Sequence, residues 1–310
     1  MPAPFAKSPR LRARRRIAFG GQLIGVGVLI LIPAVALESG PQTRPAGPAR
    51  ELTRDPLRFV TWNIQKCEGG RDKIVAELQK LDADVIGLQE VIEPRESADG
   101  PHQTREIATA LGMEWYSWGG RLDDARNQCL AILCRAPLSE SEALSTVPDR
   151  NYAVVATTQW RGRPLRIVCV HLAGTYKLDR EHAARTSRAR ALDWEALLGE
   201  ARQWHSATVL AGDFNTLPAA PQFETLTETL VFAGDPGPTF PSHSPVLHLD
   251  HVLSTPDLTA RVVSRVDTQV SDHCPVIVEL TLKSRAEPKD AGSAAQTRNK
   301  TADAPEPQRD

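Results

Sequence analysis

Apolar residues in this chain fall into two kinds of run. Some are short and nearly continuous, as buried strands are; others recur every three to four positions, as one face of a helix does. Leu57–Asn63 (LRFVTWN), Asp84–Gln89 (DVIGLQ), Leu130–Leu133, Tyr152–Trp160, Leu165–Val170, Val209–Ala211, Val246–Leu253, Arg261–Val266 and Val276–Leu282 are of the first kind and predict strands. Asp72–Leu81 is apolar at 74, 75, 78 and 81, and Leu178–Trp204 at 191, 194, 197 and 198; both predict helices. Shorter helices are expected over His102–Leu111, capped by Gly112, and near 222–230. Helices interspersed with hairpin-like strand pairs predict an α/β (α+β) layered sandwich, sheets inside and helices outside.

Ionisable and amide side chains recur where these strands begin and end. Asn63, Glu90, His171, Asp213 and Asn215 follow apolar runs; Asp250 and His251 lie inside one near its end; Asp272 and His273 precede the last. In VLAGDFNTLP, Gly212 releases the backbone and Pro218 keeps the strand from resuming. Asp213 and Asn215, two residues apart, point to one side while Phe214 turns into the core. The simplest alternative for that stretch is an Asx-turn closing a strand.

The stretches TWNIQ (61–65), LQE (88–90), AILCRAPL (131–138), VHL (170–172), GDFN (212–215), LDHVL (249–253) and SDHCPV (271–276) run in one order along residues 57–283. In that order the chain resembles the metal-dependent endonuclease/exonuclease/phosphatase superfamily. The resemblance implies a four-layer α/β/β/α sandwich of two packed mixed sheets flanked by helices, with divalent-metal-dependent phosphoester hydrolysis. Phosphoryl transfer needs neutralised phosphate oxygens and an in-line nucleophile. Glu90 is a hard oxygen ligand for Mg²⁺ or Mn²⁺, with Asn63 and Asp272 as further metal or water ligands. His273 is the expected general base, and by the resemblance Asp250 fixes its tautomer. Asp213 would orient the nucleophile or serve the leaving group, and Asn215 and His171 would donate hydrogen bonds to the phosphate. The chain departs from the family's abasic-site nucleases at Gln65, where they carry an acidic ligand, and at His171, where they carry an aromatic hydroxyl. Histidine at that place resembles the family's phosphodiesterases, sphingomyelinases and pancreatic-type deoxyribonucleases. His251 is expected to pack or flank; His243 and His248 read as solvated loop residues, and His182, Arg185 and Arg188 as a solvated helix face.

Composition changes this picture at the flanks. The 310 residues carry a formal charge of -1, which gives the chain as a whole no nucleic-acid signature. Residues 1–16 are basic and 17–37 are uncharged, long enough at about 1.5 Å per residue to cross a membrane with the N-terminus cytoplasmic. Ala34-Val35-Ala36 also suits signal cleavage, so an anchor and a removed signal, hence a secreted or periplasmic domain, both stand. Residues 38–56 read as a linker, 57–283 as the catalytic domain and 284–310 as a disordered tail. The five cysteines, 67, 129, 134, 169 and 274, have no zinc spacing. On one strand Cys129 and Cys134 would lie about 16 Å apart on opposite faces, too far to bond.

Three functions follow: a tethered or exported phosphodiesterase or phosphatase on lipid head groups or small phosphoesters, an exported nuclease, and a non-catalytic binding module. A nuclease needs a basic groove, for which Arg121, Arg126, Arg150, Arg161 and Arg163 are the candidates. The intact carboxylate, amide and histidine set argues against the binding module.

Overall fold

The computed structural model describes residues 42–43, 51–93, 102–119, 127–147, 150–175 and 179–284. The basic and apolar N-terminal segments, most of the linker before 51, and the tail beyond 284 lie outside the described residues. Among the described residues no helix is long and apolar enough to cross a membrane.

In chain order the elements are β1 (Gln42–Thr43), β2 (Leu57–Asn63), a 3-10 turn (Gln65–Cys67), α1 (Arg71–Leu81), β3 (Val85–Glu93), α2 (Gln103–Leu111), β4 (Glu114–Gly119) and β5 (Asn127–Cys134). There follow β6 (Ser139–Val147), β7 (Arg150–Trp160), β8 (Arg163–His171), α3 (Arg180–Ala201), β9 (Thr208–Asp213), α4 (Pro221–Leu226), β10 (Val231–Phe232), β11 (Asp250–Ser254), β12 (Leu258–Arg265) and β13 (Val276–Leu282). They form one sheet ordered β1-β4-β5-β3-β2-β13-β12 and a second ordered β10-β11-β9-β8-β7-β6. Both are mixed: β2 and β3 are parallel, as are β8 and β9, while β13 and β11 run antiparallel to β2 and β9.

Alternation along each strand sends one set of side chains between the sheets and the other outward. Phe59, Val85, Ile132 and Cys134 from the first sheet meet Val154, Ile167, Val209 and Val252 from the second. Outside the first sheet, Val60, Trp62 and Ile86 pack with Ile74 and Leu78 of α1 and Ile107 of α2. Outside the second, Val168 and Leu210 pack with Trp194 and Leu197 of α3 and Phe223 of α4. This is the expected four-layer sandwich.

The differences from the sequence reading have local causes. The run Val246–Leu253 is a strand only from Asp250; Val246 is 68% exposed and Leu247 38%, so apolar character there does not reflect burial. Asp250 therefore opens its strand instead of lying near its end. The periodicity did not predict β6, a sheet-edge strand whose sequence, SESEALSTV, is largely polar. The long helix begins at Arg180, where the Asp179 carboxylate accepts from the His182 backbone N–H at 2.7 Å. All five cysteines are buried, with Cys129 and Cys134 on opposite faces of β5.

Candidate active site

Strand direction gathers the polar residues at one end of the sandwich. The parallel strands β2, β8 and β9 deliver Asn63, His171 and Asp213 at their C-terminal ends. The antiparallel strands begin where these end, so Asp250 opens β11 and His273 lies just before β13. Asp213 is the register partner of both His171 and Asp250. Glu90 stands on β3 at a break in register between Leu88 and Val91, with φ of 57°. That left-handed backbone, unusual for a residue with a Cβ, lets the strand project Glu90 at the site.

The centre is a chain of short contacts. His273 Nδ1 lies 2.8 Å from Asp250 Oδ2, which also accepts from the Thr239 hydroxyl at 2.5 Å. His273 Nε2 faces Asp213 Oδ2 at 3.6 Å, and His171 Nε2 approaches the same oxygen at 3.6 Å. His171 Nε2 is also 4.0 Å from Glu90 Oε1. The Asn63 amide donates to Asp213 Oδ2 at 3.2 Å and reaches Glu90 Oε1 at 3.4 Å. Asp213 Oδ1 accepts from the Asn215 N–H at 2.8 Å, so an Asx-turn does close the strand while the other oxygen faces the site. Phe214 is fully buried, as its alternation requires. Asn215, with φ of 47°, donates its amide to the Leu172 carbonyl at 3.0 Å. A Cβ on Gly174 would lie 2.7 Å from Asn215 Oδ1, so a larger residue there would push the Asn215 amide aside.

Burial and charge set the protonation states. Burial alone disfavours charged His273, yet Asp250 and Asp213 on either side push its pKa up to about 10. Burial would also raise Asp250, but the neighbouring His273 and its hydrogen bond, with Thr239, hold it below the ordinary carboxylate range. Asp213 moves upward: burial, with Asp250 adding to it, outweighs the two histidines. Asp272 is raised by burial and then by Glu90, whose charge therefore reaches it.

Of the residues singled out from the sequence, Asn215 turns its side chain to the Leu172 carbonyl and Asp272 is tied to Gln65, while Asn63, Glu90, His171, Asp213, Asp250 and His273 converge here. His251 does not: it is buried among Phe214, Phe223 and Phe232, stacks on His248 at 4.3 Å, and bonds the Thr216 carbonyl at 2.9 Å. His248 is thus stacked and not solvated, while His243 is exposed as expected. On α3, Arg185 and Arg188 are exposed, but His182 is buried. Four residues support the site in ways the sequence reading did not give them. Thr239 holds Asp250, Gln65 Oε1 accepts from the Asp272 N–H at 3.1 Å, the Ser271 hydroxyl donates to the Asn63 carbonyl at 2.7 Å, and the Trp62 indole donates to the His273 carbonyl at 2.8 Å. No sequence periodicity marks such contacts.

Two groups could hold a cation. Asp213, Asp250 and His273 offer ligand atoms within 4.8 Å of one another. His273, however, is imidazolium between two carboxylates, and Nδ1 is committed to Asp250. Glu90, 20% exposed, and Asp272 offer carboxylate oxygens that suit a hard, partly hydrated ion, whereas Asn63 turns its amide N–H toward Glu90 and its Oδ1 to the Gln65 N–H.

Known proteins share the architecture. A protein from Beutenbergia cavernae described as endonuclease/exonuclease/phosphatase superposes with a TM-score of 0.57 at 20% identity, covering 73% of this chain and 72% of that one. A 3'-5' exonuclease from Neisseria meningitidis gives 0.54 at 20% identity over 73% of this chain and 100% of its own. Humanized D. rerio TDP2 gives 0.56 at 16%, over 73% and 98%. No curated protein matches the chain. The model of the Endonuclease/Exonuclease/phosphatase family matches residues 60–273, more than half the chain, and with the strand-end site now in place the chain belongs to that family of phosphoester hydrolases.

Proposed function

We propose that the chain is a divalent-metal-dependent phosphoester hydrolase in which His273 activates the attacking water, acting on lipid head groups or small phosphoesters outside the cytoplasm. The observation that carries the reading is the Asp250–His273 pair at 2.8 Å, with the other imidazole nitrogen turned toward Asp213. Asp250 holds Nδ1 as a donor and steadies the imidazolium formed when Nε2 takes a proton. Asp213 orients the water at Nε2. His171 stands across Asp213 and donates to the phosphate as charge builds, and the second amide proton of Asn215, whose first goes to the Leu172 carbonyl, does the same. Glu90, Asn63 and Asp272 would hold Mg²⁺ or Mn²⁺, whose chemistry here is to neutralise phosphate oxygens and offset the anionic surroundings that keep His273 protonated.

Two observations support the substrate class. Leu217, Val246 and Leu247 are exposed on the loops that carry Asn215 and lead to Asp250, an apolar rim suited to a lipid or another partly apolar ester. Arg161 and Arg163 do not form a nuclease groove: they flank the far end of β8, about 26 Å from His171, and pair with Asp55 and Asp257. Arg121 and Arg126, and the side chain of Arg150, lie outside the described residues. The apolar segment 17–37 supports tethering or export. The second reading, an exported nuclease, draws on the Neisseria structure described as a 3' phosphatase bound to product DNA hairpin.

The test offers the full chain bis-p-nitrophenyl phosphate, p-nitrophenyl phosphate, plasmid DNA and phospholipid vesicles, with Mg²⁺ or Mn²⁺ and with EDTA. Metal-dependent release from the esters or vesicles, lost in His273→Ala and insensitive to salt, is expected. DNA cleavage that falls steeply with salt selects the nuclease instead. No turnover of any substrate by folded protein rejects the hydrolase.

A further inference from the structure

We propose that Lys66 is the cation that receives the substrate's phosphate, stored on Glu90 until a divalent ion takes that carboxylate; this rests on the metal-dependent hydrolase reading above. Lys66 Nζ lies 3.8 Å from Glu90 Oε2, the oxygen turned away from Asn63 and His171. Glu90 is its acidic partner among the described residues, and the lysine side chain is 35% exposed.

The local backbone is built for this placement. Gln65, Lys66 and Cys67 have φ of 45°, 57° and 57°, three successive non-glycine residues in a region that L-residues rarely adopt. Each is tied down. Gln65 donates its N–H to Asn63 Oδ1 at 3.1 Å and accepts from the Asp272 N–H. The Lys66 carbonyl accepts from Gln103 Nε2 at 3.0 Å, and Gln103 Oε1 accepts from the Ile92 N–H at 2.8 Å, on the strand that carries Glu90. Cys67 is buried against the outer face of the first sheet. The turn and Glu90 are thus held to one another through Gln103.

A divalent ion on Glu90 repels the ammonium at such separations and loosens its hold on the same carboxylate. Lysine is a mobile point charge on a flexible stem, so on displacement it goes to the nearest anion, the substrate phosphate. A point charge rewards negative charge over shape, which favours a dianionic terminal phosphate over a monoanionic diester.

The experiment uses the full chain and its Lys66→Met and Lys66→Arg variants, each checked by thermal melting. Calorimetry measures Mn²⁺ binding alone, then inorganic phosphate and dimethyl phosphate binding at saturating Mn²⁺. Lys66→Met should bind Mn²⁺ roughly threefold more tightly, as the loss of a partly exposed ion-pair competitor implies. It should bind inorganic phosphate about tenfold more weakly, with little change for dimethyl phosphate, and Lys66→Arg should retain the phosphate binding. Wild-type affinity for Mn²⁺ or for phosphate in folded Lys66→Met overturns the lysine's role and leaves the hydrolase reading standing. Failure of the wild type to bind Mn²⁺ overturns both.

Discussion

His273 Nδ1 and Asp250 Oδ2 are 2.8 Å apart, both side chains are almost closed to water, and each holds the other in its charged state. Removing either charge leaves the other buried without its counterpart. Asp250→Asn is expected to lower turnover on the order of a hundredfold or more by upsetting the tautomer. It should also move the rising limb of the pH–rate profile to lower pH, because the imidazolium loses its main stabilising charge. Rates measured from pH 6 to 10, beside thermal melts, check both. An unchanged profile removes Asp250 from the mechanism.

Glu90→Gln keeps the volume and discards the charge. The concentration of Mg²⁺ or Mn²⁺ giving half-maximal activity should rise by roughly tenfold or more, since a hard cation loses an anionic ligand. Stabilisation of the fold by added metal should shrink in parallel. Identical metal titrations for variant and wild type would move the cation to the Asp213, Asp250 and His273 group.

Gly212→Ala should destabilise the domain by about 3 kcal/mol or more. Gly212 has φ of 147°, and an added Cβ would fall 2.0 Å from the Val170 carbonyl oxygen on the neighbouring strand. Backbone cannot yield as a side chain can, so β8 and β9 must part just beneath His171 and Asp213. Urea unfolding measures the loss, and a change under 1 kcal/mol would contradict this packing.

His251 gives the fold an acid sensitivity separate from catalysis. Burial, with His248 beside it, lowers its pKa from the ordinary 6.5 to about 4. Between those values the unfolded chain binds a proton that the folded chain refuses. Stability contributed by neutral His251 is therefore complete above pH 6.5 and is lost as the pH falls toward 4, on the order of 3 kcal/mol in all. His251→Gln should flatten that part of the stability curve. Equal pH dependence in both proteins would rule His251 out as the source.

What could be read from the sequence was local. Leu57–Asn63 and Val276–Leu282 are strands with the bounds their apolar runs suggested, and Asp213, Asn215 and His273 were visible because they punctuate such runs. The left-handed backbone at Glu90 was not visible, because nothing in LQE distinguishes a strand end from a break in register. Thr239 reaches Asp250 across a folded loop, and Gln103 reaches Lys66 between two separate elements, so neither contact follows from spacing along the chain. The exposed Val246 and Leu247 misled in the opposite direction: exposed loop residues can look like core.

The first long strand and the last lie side by side, β2 against β13, with Asn63 at the end of one and His273 before the start of the other. A ribosome must therefore release nearly the whole domain before His273 can meet the residues made earliest. A product that ends between residues 171 and 273, whether a nascent chain or a fragment, holds Asn63, Glu90 and His171 without His273, the proposed base. Hydrolysis by this protein would then serve as a certificate of completed synthesis, and a prematurely ended copy would be chemically silent.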